Sequence, residues 1–448
     1  MKKKTSKLDS RHASLRVVRR LQKAGYEAYW AGGCVRDRLL KRRPSDYDVA
    51  TSARPAQIQK LFRHTIPVGK AFGVILVVEG GVPVETAAFR GEGAYKDGRR
   101  PSKVFFTSAK NDAQRRDFTI NGLFYDPIAR KLIDFVGGRI DLRKKIVRAI
   151  GDPVQRFRED HLRLLRAVRV ATVLNFRIEA KTWRATRKLA PLIKKISAER
   201  IREELTKILC SDHAARGLDL LRRSGLLKIL LPEIEAMAGV KHSPDFHPEG
   251  DVWVHTRLVM SKLPGNRTPT LAWATLLHDV GKPRTCVKKK VKGSWRWRFP
   301  GHAEVGERLA RRILDRLKWP RADTQAVCDI VANHMTFKDV QSMRLSTLKR
   351  LLSRPTFVEE LELHRADCLG SHRMLGNYRF LKRMQKALTR EQVRPKPLVN
   401  GHDLLEMGLY EGPEVGRWLR QVEEMQLEGD LKTRGEALAW LRQQLQTV

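Results

Sequence analysis

The sequence predicts an α+β domain at the N-terminus followed by an all-helical remainder. From residue 15 to about residue 138, helical stretches alternate with short strand-like runs, and Gly80-Gly81 separates two of these runs as in a β-hairpin. After about residue 139, apolar residues recur with the 3.6-residue spacing of amphipathic helices, for example in 198–209. The chain therefore changes its fold class once, near residue 138.

Length and composition narrow the possible functions. The 448 residues suffice for several domains with real cores. Lysine and arginine number 89 against 49 acidic residues, and the resulting charge of +40 favours a polyanionic partner such as nucleic acid. No apolar run is long enough to span a membrane, and the basic N-terminus lacks the apolar stretch of a secretory signal. Five scattered cysteines without a CxxC pair exclude a disulfide framework and predict a cytoplasmic protein.

Changes in composition divide the chain further. Histidines become frequent near residue 240, and a proline-rich break at 393–397 separates a last helical piece. The segment 91–108 is rich in Gly, Arg, Lys and Tyr and is expected to be a mobile basic loop. We therefore predict four regions, with the boundaries 1–138, 139–240, 241–390 and 391–448.

A pair of carboxylates near the N-terminus indicates phosphoryl-transfer chemistry. Asp46 and Asp48 stand two apart on an expected strand, so both side chains would point to the same side. Carboxylates this close favour bound Mg²⁺, and two such ions can hold the attacking and leaving oxygens of a phosphoryl transfer. Gly32-Gly33 would let a triphosphate approach the backbone, and Glu85 is the best candidate for a third carboxylate. Taken alone, the pattern also fits a solvated strand end and an ordinary turn.

Five motifs in order carry a family resemblance. Residues 31–51 resemble the signature of the class II tRNA nucleotidyltransferases and the bacterial poly(A) polymerases, and the match continues in the segments 115–122, 138–151, 159–163 and 197–201. The resemblance implies a nucleotidyltransferase head with a mixed sheet, followed by an all-helical neck, body and tail. It also implies that tRNA, CTP and ATP are the substrates, and that Asp46 and Asp48 bind Mg²⁺ in the head.

The resemblance also implies which residues select the nucleotide. Asp160 and Arg163 are three apart, which would place them on one helix face, where they can read the Watson–Crick edge of cytosine or adenine without a template. The alternative is a surface ion pair, which is common on helices and contributes little. The implied nucleotide-binding set is Gly32, Gly33, Arg36, Arg116, Asp117, Asn121, Asp160, Arg163 and Arg166.

Histidines and aspartates in the second half of the chain predict a metal centre. His255, the adjacent pair His278-Asp279, and Asp367 follow one another in order. Imidazole and carboxylate ligands together bind divalent transition metals, which activate water for phosphoester hydrolysis. The set resembles the four ligands of the HD phosphohydrolase superfamily, which implies an HD domain bound to a metal such as Ni²⁺, Mn²⁺ or Co²⁺.

Further histidines surround this pattern. His302 and His334 match the extra positions of HD proteins that hold two metals, although a purely structural role is the alternative. His242, His247 and His364 are expected to be solvated or structural. Between the motifs, basic and aromatic residues interleave in 288–299, which fits either an RNA clamp or a simple β-hairpin on the domain surface.

Together these features predict a template-independent RNA nucleotidyltransferase that builds or repairs the CCA end of tRNA. The segment 398–429 resembles the tail of tRNA-adding enzymes, which a poly(A) polymerase would not share. Three alternatives stay open: a poly(A) polymerase, a CC-only or A-only enzyme, and an HD phosphohydrolase or RNA-binding protein with an inactive head. The sequence leaves the substrate of the HD domain, its metal and the oligomeric state undecided.

Overall fold

A computed structural model describes residues 9–69, 73–93, 104–242, 250–291 and 293–446. It divides the chain into two compact units, Met1–Pro232 and Glu233–Val448. None of the helices in the described ranges combines the length and the apolar character needed to traverse a bilayer. The two-way division is coarser than the four regions expected from the sequence, whose boundaries stay predictions.

The first unit begins with a seven-stranded mixed sheet in the order β3-β4-β5-β2-β1-β8-β9. Only β2 and β5 pair in parallel within this sheet; the other described neighbours are antiparallel. The seven strands are β1 Ala28–Ala31, β2 Val49–Thr51, β3 Thr65–Gly69, β4 Val74–Glu79, β5 Val82–Ala88, β8 Leu123–Asp126 and β9 Lys131–Asp134. The strands β6 Arg90–Glu92 and β7 Val104–Phe106 form a separate two-stranded sheet. The predicted mixed sheet is confirmed.

Two local predictions in this region have different outcomes. The hairpin between β4 and β5 is confirmed, and its turn residues Gly80 and Gly81 have φ values of 58° and 78°, which glycine adopts without strain. The expected basic loop 91–108 is only partly a loop, because β6 and β7 pair with each other at its two ends. Residues 94–103 of that segment lie outside the described residues.

Helices cover the sheet. They are α1 Ser10–Lys23, α2 Gly33–Leu39, α3 Pro55–Leu61, α4 Ala109–Arg115 and α5 Gly138–Lys144, with a 3₁₀ helix at Thr119–Asn121. Val17, Val18 and Leu21 lie on one face of α1, as the helical period requires, and they join the same buried cluster as Trp30 and Ile75 of the sheet. This packing fixes β1, β2 and β5, the strands next to which the predicted carboxylates lie.

The rest of the first unit is helical, apart from one short strand pair. Its helices are α6 Pro153–Glu159, α7 Arg163–Leu174, α8 Ala180–Leu189, α9 Ala198–Leu209, α10 Ala214–Arg223 and α11 Leu226–Leu230, with a 3₁₀ helix at Ala190–Lys195, and α12 Pro232–Glu235 crosses the boundary between the units. The strands β10 Ile146–Val147 and β11 Arg177–Ile178 pair in parallel, which the all-helical prediction missed. Runs of two residues are too short to leave a period-2 pattern in the sequence.

The second unit is also mainly helical. Its elements are α13 Val252–Ser261, α14 Pro269–Leu277, α15 Lys282–Thr285, β12 Val287–Val291, β13 Ser294–Arg298, α16 His302–Arg316, α17 Arg321–Asn333, a 3₁₀ helix at Thr336–Ser342, α18 Leu345–Leu352, α19 Phe357–Gly370, α20 Gly376–Ala387, α21 Arg390–Val393, α22 Gly401–Glu406, α23 Pro413–Glu428 and α24 Arg434–Leu445. The strands β12 and β13 form the hairpin that the sequence offered as one alternative for 288–299.

One close backbone approach positions the histidine-bearing part of this unit. Gly281 lies between α14 and α15, and a Cβ there would clash with the carbonyl oxygen of His302 and lie 2.7 Å from the backbone nitrogen of Gly306. Only a residue without a side chain lets the segment after His278 pass so close to the first turn of α16. The backbone at Gly281 therefore brings His278 and His302, from different helices, toward each other.

Gly281→Ala is expected to destabilise the second unit by about 1–3 kcal/mol, because packed backbone must move to admit the methyl group. Gly435→Ala is the matched control. Nothing lies within 4 Å of a Cβ at Gly435, which sits in α24 of the same unit. Alanine should therefore leave stability unchanged or raise it by up to about 1 kcal/mol. Denaturant unfolding measures both variants, and equal stability of Gly281→Ala and the wild type would contradict the close approach.

Candidate active site and candidate metal centre

The predicted head carboxylates converge where β2 and β5 run side by side. Asp48 directly precedes β2, and its carbonyl oxygen accepts a hydrogen bond from the Ala31 nitrogen at the end of β1 (3.0 Å). The parallel register places Val49 opposite Thr86, so Asp48 stands beside Glu85 one position earlier. Asp46 and Asp48 lie in the segment before β2, so the prediction that both stand on a strand is wrong. The strand itself is only three residues long.

Burial and mutual repulsion disfavour the ionised form of a carboxylate in this cluster. Burial raises the pKa of the Asp48 carboxyl to about 7, and the negative charges of Glu85 and Asp46 add to the effect, while Arg116 opposes it. Carboxylates that raise one another's pKa are stabilised in their ionised form by a cation among them. Three oxygen-donor side chains suit Mg²⁺, so the residues present fit this ion.

The backbone conformation beside these carboxylates requires glycine at position 32. Gly32 has a φ of 74°, and a Cβ at this position would lie 3.0 Å from Nη1 of Arg116. Gly33 begins α2, which carries Arg36. The Arg36 guanidinium donates to the Asn121 side chain (2.7 Å) and to its neighbour Asp37 (2.8 and 2.9 Å). Backbone, Arg36 and Arg116 thus lie together, as the sequence predicted.

A buried network connects three more of the predicted residues. The Asp117 carboxylate accepts hydrogen bonds from the Asn121 side chain (3.0 Å) and the Phe118 nitrogen (2.8 Å), and it pairs with Nη2 of Arg166 (3.0 Å). Burial raises the pKa of Asp117, but the charge of Arg166 and the bond from Asn121 outweigh this and leave it below the ordinary value. Asp117 is therefore an ionised anchor that joins the head to α7.

Sequence reasoning missed Asp112, which holds a predicted residue in place. Its carboxylate is 1% exposed and accepts bonds from Arg116 (3.1 and 3.2 Å) and from Arg115 (2.6 and 2.9 Å). The two arginines follow Asp112 at i+3 and i+4, the helical spacing that could have revealed the pairing. Arg116 also lies over the Phe124 ring, 5.0 Å from its centroid, so its guanidinium has a fixed position.

The prediction that Asp160 and Arg163 share a helix face is wrong. Asp160 lies between α6 and α7, with φ −136° and ψ 104°, and it accepts a bond from the Leu162 nitrogen at the start of α7 (3.1 Å). Arg163 is buried and donates to Glu159 (3.0 Å) and to the carbonyls of Arg156 (3.1 Å) and Arg115 (2.9 Å). The helix is interrupted between α6 and α7, and the non-helical backbone there changes the direction of the side chains. Spacing along the sequence does not reveal such an interruption.

In the second unit, the carboxylate of Asp279 is the hub of the predicted metal centre. Its Oδ2 lies 3.2 Å from Nε2 of His278 and 3.6 Å from Nε2 of His255. Its Oδ1 lies 3.7 Å from Nε2 of His302 and 3.9 Å from Nε2 of His334. Asp367 on α19 completes the first group, 3.1 Å from Nε2 of His255. The structure brings all six predicted residues together.

Hydrogen bonds at the outer nitrogens set the chemical state of three of these histidines. The Nδ1 atoms of His278, His302 and His334 lie 2.6–2.9 Å from the carbonyl oxygens of Thr275, Phe299 and Val331. Because a carbonyl only accepts, each Nδ1 carries the proton, and in the neutral ring Nε2 presents a lone pair. Burial lowers the pKa of His302, and it lowers that of His334 to about 3, which keeps both rings neutral.

These lone pairs converge on two ligand groups that share Asp279. The groups are His255, His278 and Asp279, and Asp279, His302 and His334. The Nε2 atoms of His302 and His334 are only 3.1 Å apart, a distance that two lone pairs tolerate when a cation lies between them. The donor set therefore fits two divalent transition metals bridged by Asp279.

Two residues support this centre: Lys282, which the sequence analysis did not predict, and His242, for which the structural alternative is confirmed. Lys282 is buried, and its Nζ lies 2.6 Å from Oδ2 of Asp279 and 3.2 Å from Nε2 of His242. His242, expected to be solvated or structural, is 4% exposed and packs edge-on against the His255 ring, with centroids 5.4 Å apart. A buried lysine adjoining the predicted ligands could have been suspected from its position three residues after Asp279. His247 lies outside the described residues.

Three families match successive parts of the chain. Residues 28–148 match the "Poly A polymerase head domain", residues 175–237 match the "Probable RNA and SrmB- binding site of polymerase A", and residues 252–370 match the "HD domain". The head match contains the carboxylate cluster, and the HD match contains the six predicted metal ligands. Nucleotidyltransferase and HD domains use divalent metal ions, in agreement with both donor sets.

The chain is also similar to curated proteins, in one case along nearly its full length. The CCA-adding enzyme of Streptococcus mutans is 33% identical over 432 residues, which cover 95% of each chain. That of Limosilactobacillus reuteri is 44% identical over 211 residues, an alignment spanning about half of each chain (47% of this chain and 52% of the relative).

Solved structures agree. The Bacillus stearothermophilus CCA-adding enzyme in complex with CTP is 27% identical, with a TM-score of 0.76 and 98% of each chain covered. The Thermotoga maritima CCA-adding enzyme complexed with tRNA shares the fold, at 19% identity and a TM-score of 0.57, over 98% of this chain and 97% of that one. With its carboxylate cluster, its HD centre and these full-length relatives, the chain belongs to the family of CCA-adding enzymes.

Proposed function

We propose that the protein adds or repairs the 3′-terminal CCA of tRNA, using CTP and ATP and no template. The observation that carries the proposal is the cluster of Asp46, Asp48 and Glu85 beside Gly32, in a chain whose full-length relatives are CCA-adding enzymes. The complexes of related enzymes with CTP, ATP and tRNA support the same substrates. The raised pKa of Asp48 supports a cation among these carboxylates.

The residues of the head have separate tasks in this proposal. Asp46 and Asp48 hold Mg²⁺, with Glu85 as the third carboxylate; when bound, the metal stabilises charge on the attacking and leaving oxygens. The 3′ hydroxyl of tRNA attacks the α-phosphate in line, and pyrophosphate leaves. Gly32 and Gly33 let the triphosphate approach the backbone, and Arg36 and Arg116 lie beside them to bind its charge.

Nucleotide selection is proposed for the junction of α6 and α7. Asp160, Arg163 and Arg166 lie there, and the Asp117–Arg166 pair ties the junction to the head. A carboxylate suits the exocyclic amine of cytosine or adenine, and a guanidinium suits ring nitrogens and carbonyls. Arg163 donates to Glu159 and to two backbone carbonyls through three of the five N–H groups of its guanidinium.

Affinity for tRNA is proposed to come from distributed positive charge. Arg184, Arg187, Lys188, Arg222 and Arg223 line a concave surface with a volume of about 570 Å³ between the ends of α8 and α10. This surface lies within the part of the chain that matches an RNA-binding family. Phosphate contacts of this kind give affinity that is independent of sequence and sensitive to salt.

For the second unit we propose a metal-dependent phosphohydrolase activity, with Ni²⁺, Mn²⁺ or Co²⁺ at the ligands around Asp279. His255, His278 and Asp367 would hold one ion, and His302 and His334 a second, while Lys282 fixes the bridging carboxylate. We also propose that the predicted regions 1–138, 139–240, 241–390 and 391–448 are head, neck and body, HD domain and tail. The five free cysteines support the cytoplasm as its location.

Two alternatives share the chemistry of the head. A poly(A) polymerase is favoured by the names of the two families that match residues 28–148 and 175–237, whereas the relatives aligned over nearly the whole chain are CCA-adding enzymes. A CC-only or A-only enzyme would carry the same motifs. Incubation of tRNA lacking CCA, CA or A with CTP, ATP or both separates all three, because the length and composition of the product differ.

Asp46→Ala or Asp48→Ala should abolish nucleotide addition and leave tRNA binding nearly intact. A metal ligand acts on the transition state, whereas tRNA affinity depends on many basic residues. Incorporation of labelled CTP and ATP is measured beside filter binding of tRNA. Addition at a near wild-type rate by either variant would refute the assignment of this carboxylate site.

Arg163→Ala should blur the choice among the four nucleotides more than Asp48→Glu does. A lost base contact is worth about 1–3 kcal/mol of discrimination, whereas a longer metal ligand slows all nucleotides alike. Misincorporation of UTP and GTP is scored on each tRNA end. Because Arg163 also bonds to Arg115 and Glu159, Arg163→Lys serves as a second variant, and unchanged nucleotide ratios in both folded variants would argue against a selecting role.

The double variant His278→Ala/Asp279→Ala should lose metal at the HD centre and spare CCA addition. The ligands around Asp279 all lie in Glu233–Val448, and the head carboxylates lie in Met1–Pro232. Bound metal is measured by elemental analysis, and hydrolysis is assayed on 2′,3′-cyclic phosphates and phosphomonoesters with Ni²⁺, Mn²⁺, Co²⁺ and Mg²⁺. Circular dichroism checks folding; loss of nucleotide addition by the folded variant would show that the two sites depend on each other.

A further inference from the structure

The hairpin formed by β12 and β13 has two chemically different faces. The register pairs Lys288 with Trp297 and Lys290 with Trp295, and neighbouring pairs point to opposite sides, so these four residues share one face. Lys289 pairs with Arg296 on the other face. The first face therefore alternates two indole rings with two ammonium groups, and we name it the Trp–Lys face.

The Trp–Lys face is exposed and positively charged. Trp295 is 63% exposed, although a large apolar ring is normally covered in a folded protein. The Lys288 ammonium lies 5.7 Å from the Trp295 ring centroid and 5.8 Å from that of Trp297, so it stands between two aromatic surfaces. The stretch 287–298 contains six lysines and arginines and no acidic residue. Of these cations, Lys292 lies outside the described residues.

The hairpin leads directly into the HD centre. Phe299, the residue after β13, packs edge-on against His242 with ring centroids 5.5 Å apart, and its ring lies 5.4 Å from the Lys282 ammonium. The Phe299 carbonyl accepts the Nδ1–H bond of the ligand His302 (2.9 Å). Trp297 is two residues from Phe299, a span of about 7 Å in extended chain. The Trp–Lys face is therefore continuous along the chain with a residue that contacts Lys282, His242 and His302.

We propose that the Trp–Lys face binds single-stranded RNA, and that the HD centre acts on a phosphoester at the end of such a strand. The inference rests on the proposed phosphohydrolase function and names its substrate class. Unpaired bases stack on exposed indole rings, while lysines beside the rings meet the phosphates. A protein partner would need an apolar side chain for each indole ring and an acidic side chain for each ammonium group. Single-stranded RNA supplies both counterparts in alternation, because its bases stack on the rings and its phosphates pair with the lysines.

The reaction at the strand end would be a simple hydrolysis. A water oxygen bonds to the terminal phosphorus, the P–O bond to the ribose oxygen breaks, and that oxygen takes a proton. The products are an RNA hydroxyl and inorganic phosphate. No oxidant, reductant or further reactant is required.

Crosslinking tests the binding directly and without metal. A 12-nucleotide single strand containing 4-thiouridine and ending in a 3′-phosphate is titrated into the full chain in EDTA, and the yield of crosslink in the peptide 287–298 is read against concentration. Trp295→Ala should weaken this binding about 5- to 150-fold, the loss of one stacked base. Trp295→Phe should restore most of the affinity. Lys288→Ala should weaken it more than Lys289→Ala, which removes the same charge from the opposite face.

A second assay separates this inference from the hydrolase function. With metal supplied, the Trp295→Ala and Lys288→Ala variants should have a raised KM for the 3′-phosphorylated strand and an unchanged KM for p-nitrophenyl phosphate. If the wild type hydrolyses both substrates but no variant differs in crosslinking or KM, RNA binding by the face is refuted and a protein partner takes its place. If the strand crosslinks to the face and neither substrate is hydrolysed, the binding stands and the phosphohydrolase function is refuted.

Discussion

Groups that repel one another are held together at two places in this chain, and both candidate centres depend on that constraint. In the head, parallel pairing of β2 with β5 places Asp48 beside Glu85, and burial together with the charges of Glu85 and Asp46 raises the pKa of Asp48 to about 7. In the second unit, backbone carbonyls orient His302 and His334 so that unprotonated nitrogens face each other at 3.1 Å. Without a cation, both arrangements are electrostatically unfavourable in the folded protein. A divalent metal ion bound among these groups would offset their repulsion, so the same arrangement can serve as a binding site.

Cations of the protein hold carboxylates in position near both centres. Arg166 pairs with Asp117, and Asp117 fixes the Asn121 side chain that in turn receives Arg36. Lys282 has the same relation to Asp279, which stays ionised although it is 1% exposed. A buried ion pair contributes little net stability, but losing one partner leaves an uncompensated charge. Such pairs therefore specify where a carboxylate points more than they stabilise the fold.

The sequence predicted the chemistry of the sites better than their local geometry. Motif order was sufficient to predict the six residues that the structure brings together around Asp279, because metal binding needs particular residue types and tolerates many spacings. The same reasoning placed Asp160 on a helix, because spacing does not show that α6 ends at Glu159 and α7 begins at Arg163. The two-residue strands β10 and β11 left no periodic signal. The hairpin at 287–298 was one of two alternatives, and its register decided which residues share a face.

Partners that support a site were the hardest residues to predict. Asp112, Lys282 and His242 act through contacts with other side chains. The contacts of Asp112 with its arginines and of Lys282 with Asp279 are local, whereas the contact between His242 and Lys282 is not. His242 meets Lys282 forty residues later in the sequence, a relation that only the folded backbone creates. Asp112 was in principle accessible, since its partners follow at helical spacing. Local periodicity therefore reveals a supporting residue when the support is local, and otherwise the tertiary structure is required.

The distribution of positive charge connects the two centres to one class of substrate. The concave surface lined by Arg187 and Arg222 lies in the unit that holds the head carboxylates, and the Trp–Lys face lies in the unit that holds the HD ligands. Each metal centre is thus accompanied, within its own unit, by a cationic surface suited to phosphates. Neither surface would strengthen the binding of a small neutral substrate. With such a substrate, the excess of 40 positive charges would only destabilise the compact state by self-repulsion. The two proposals therefore assign both surfaces to the same kind of polyanion, RNA.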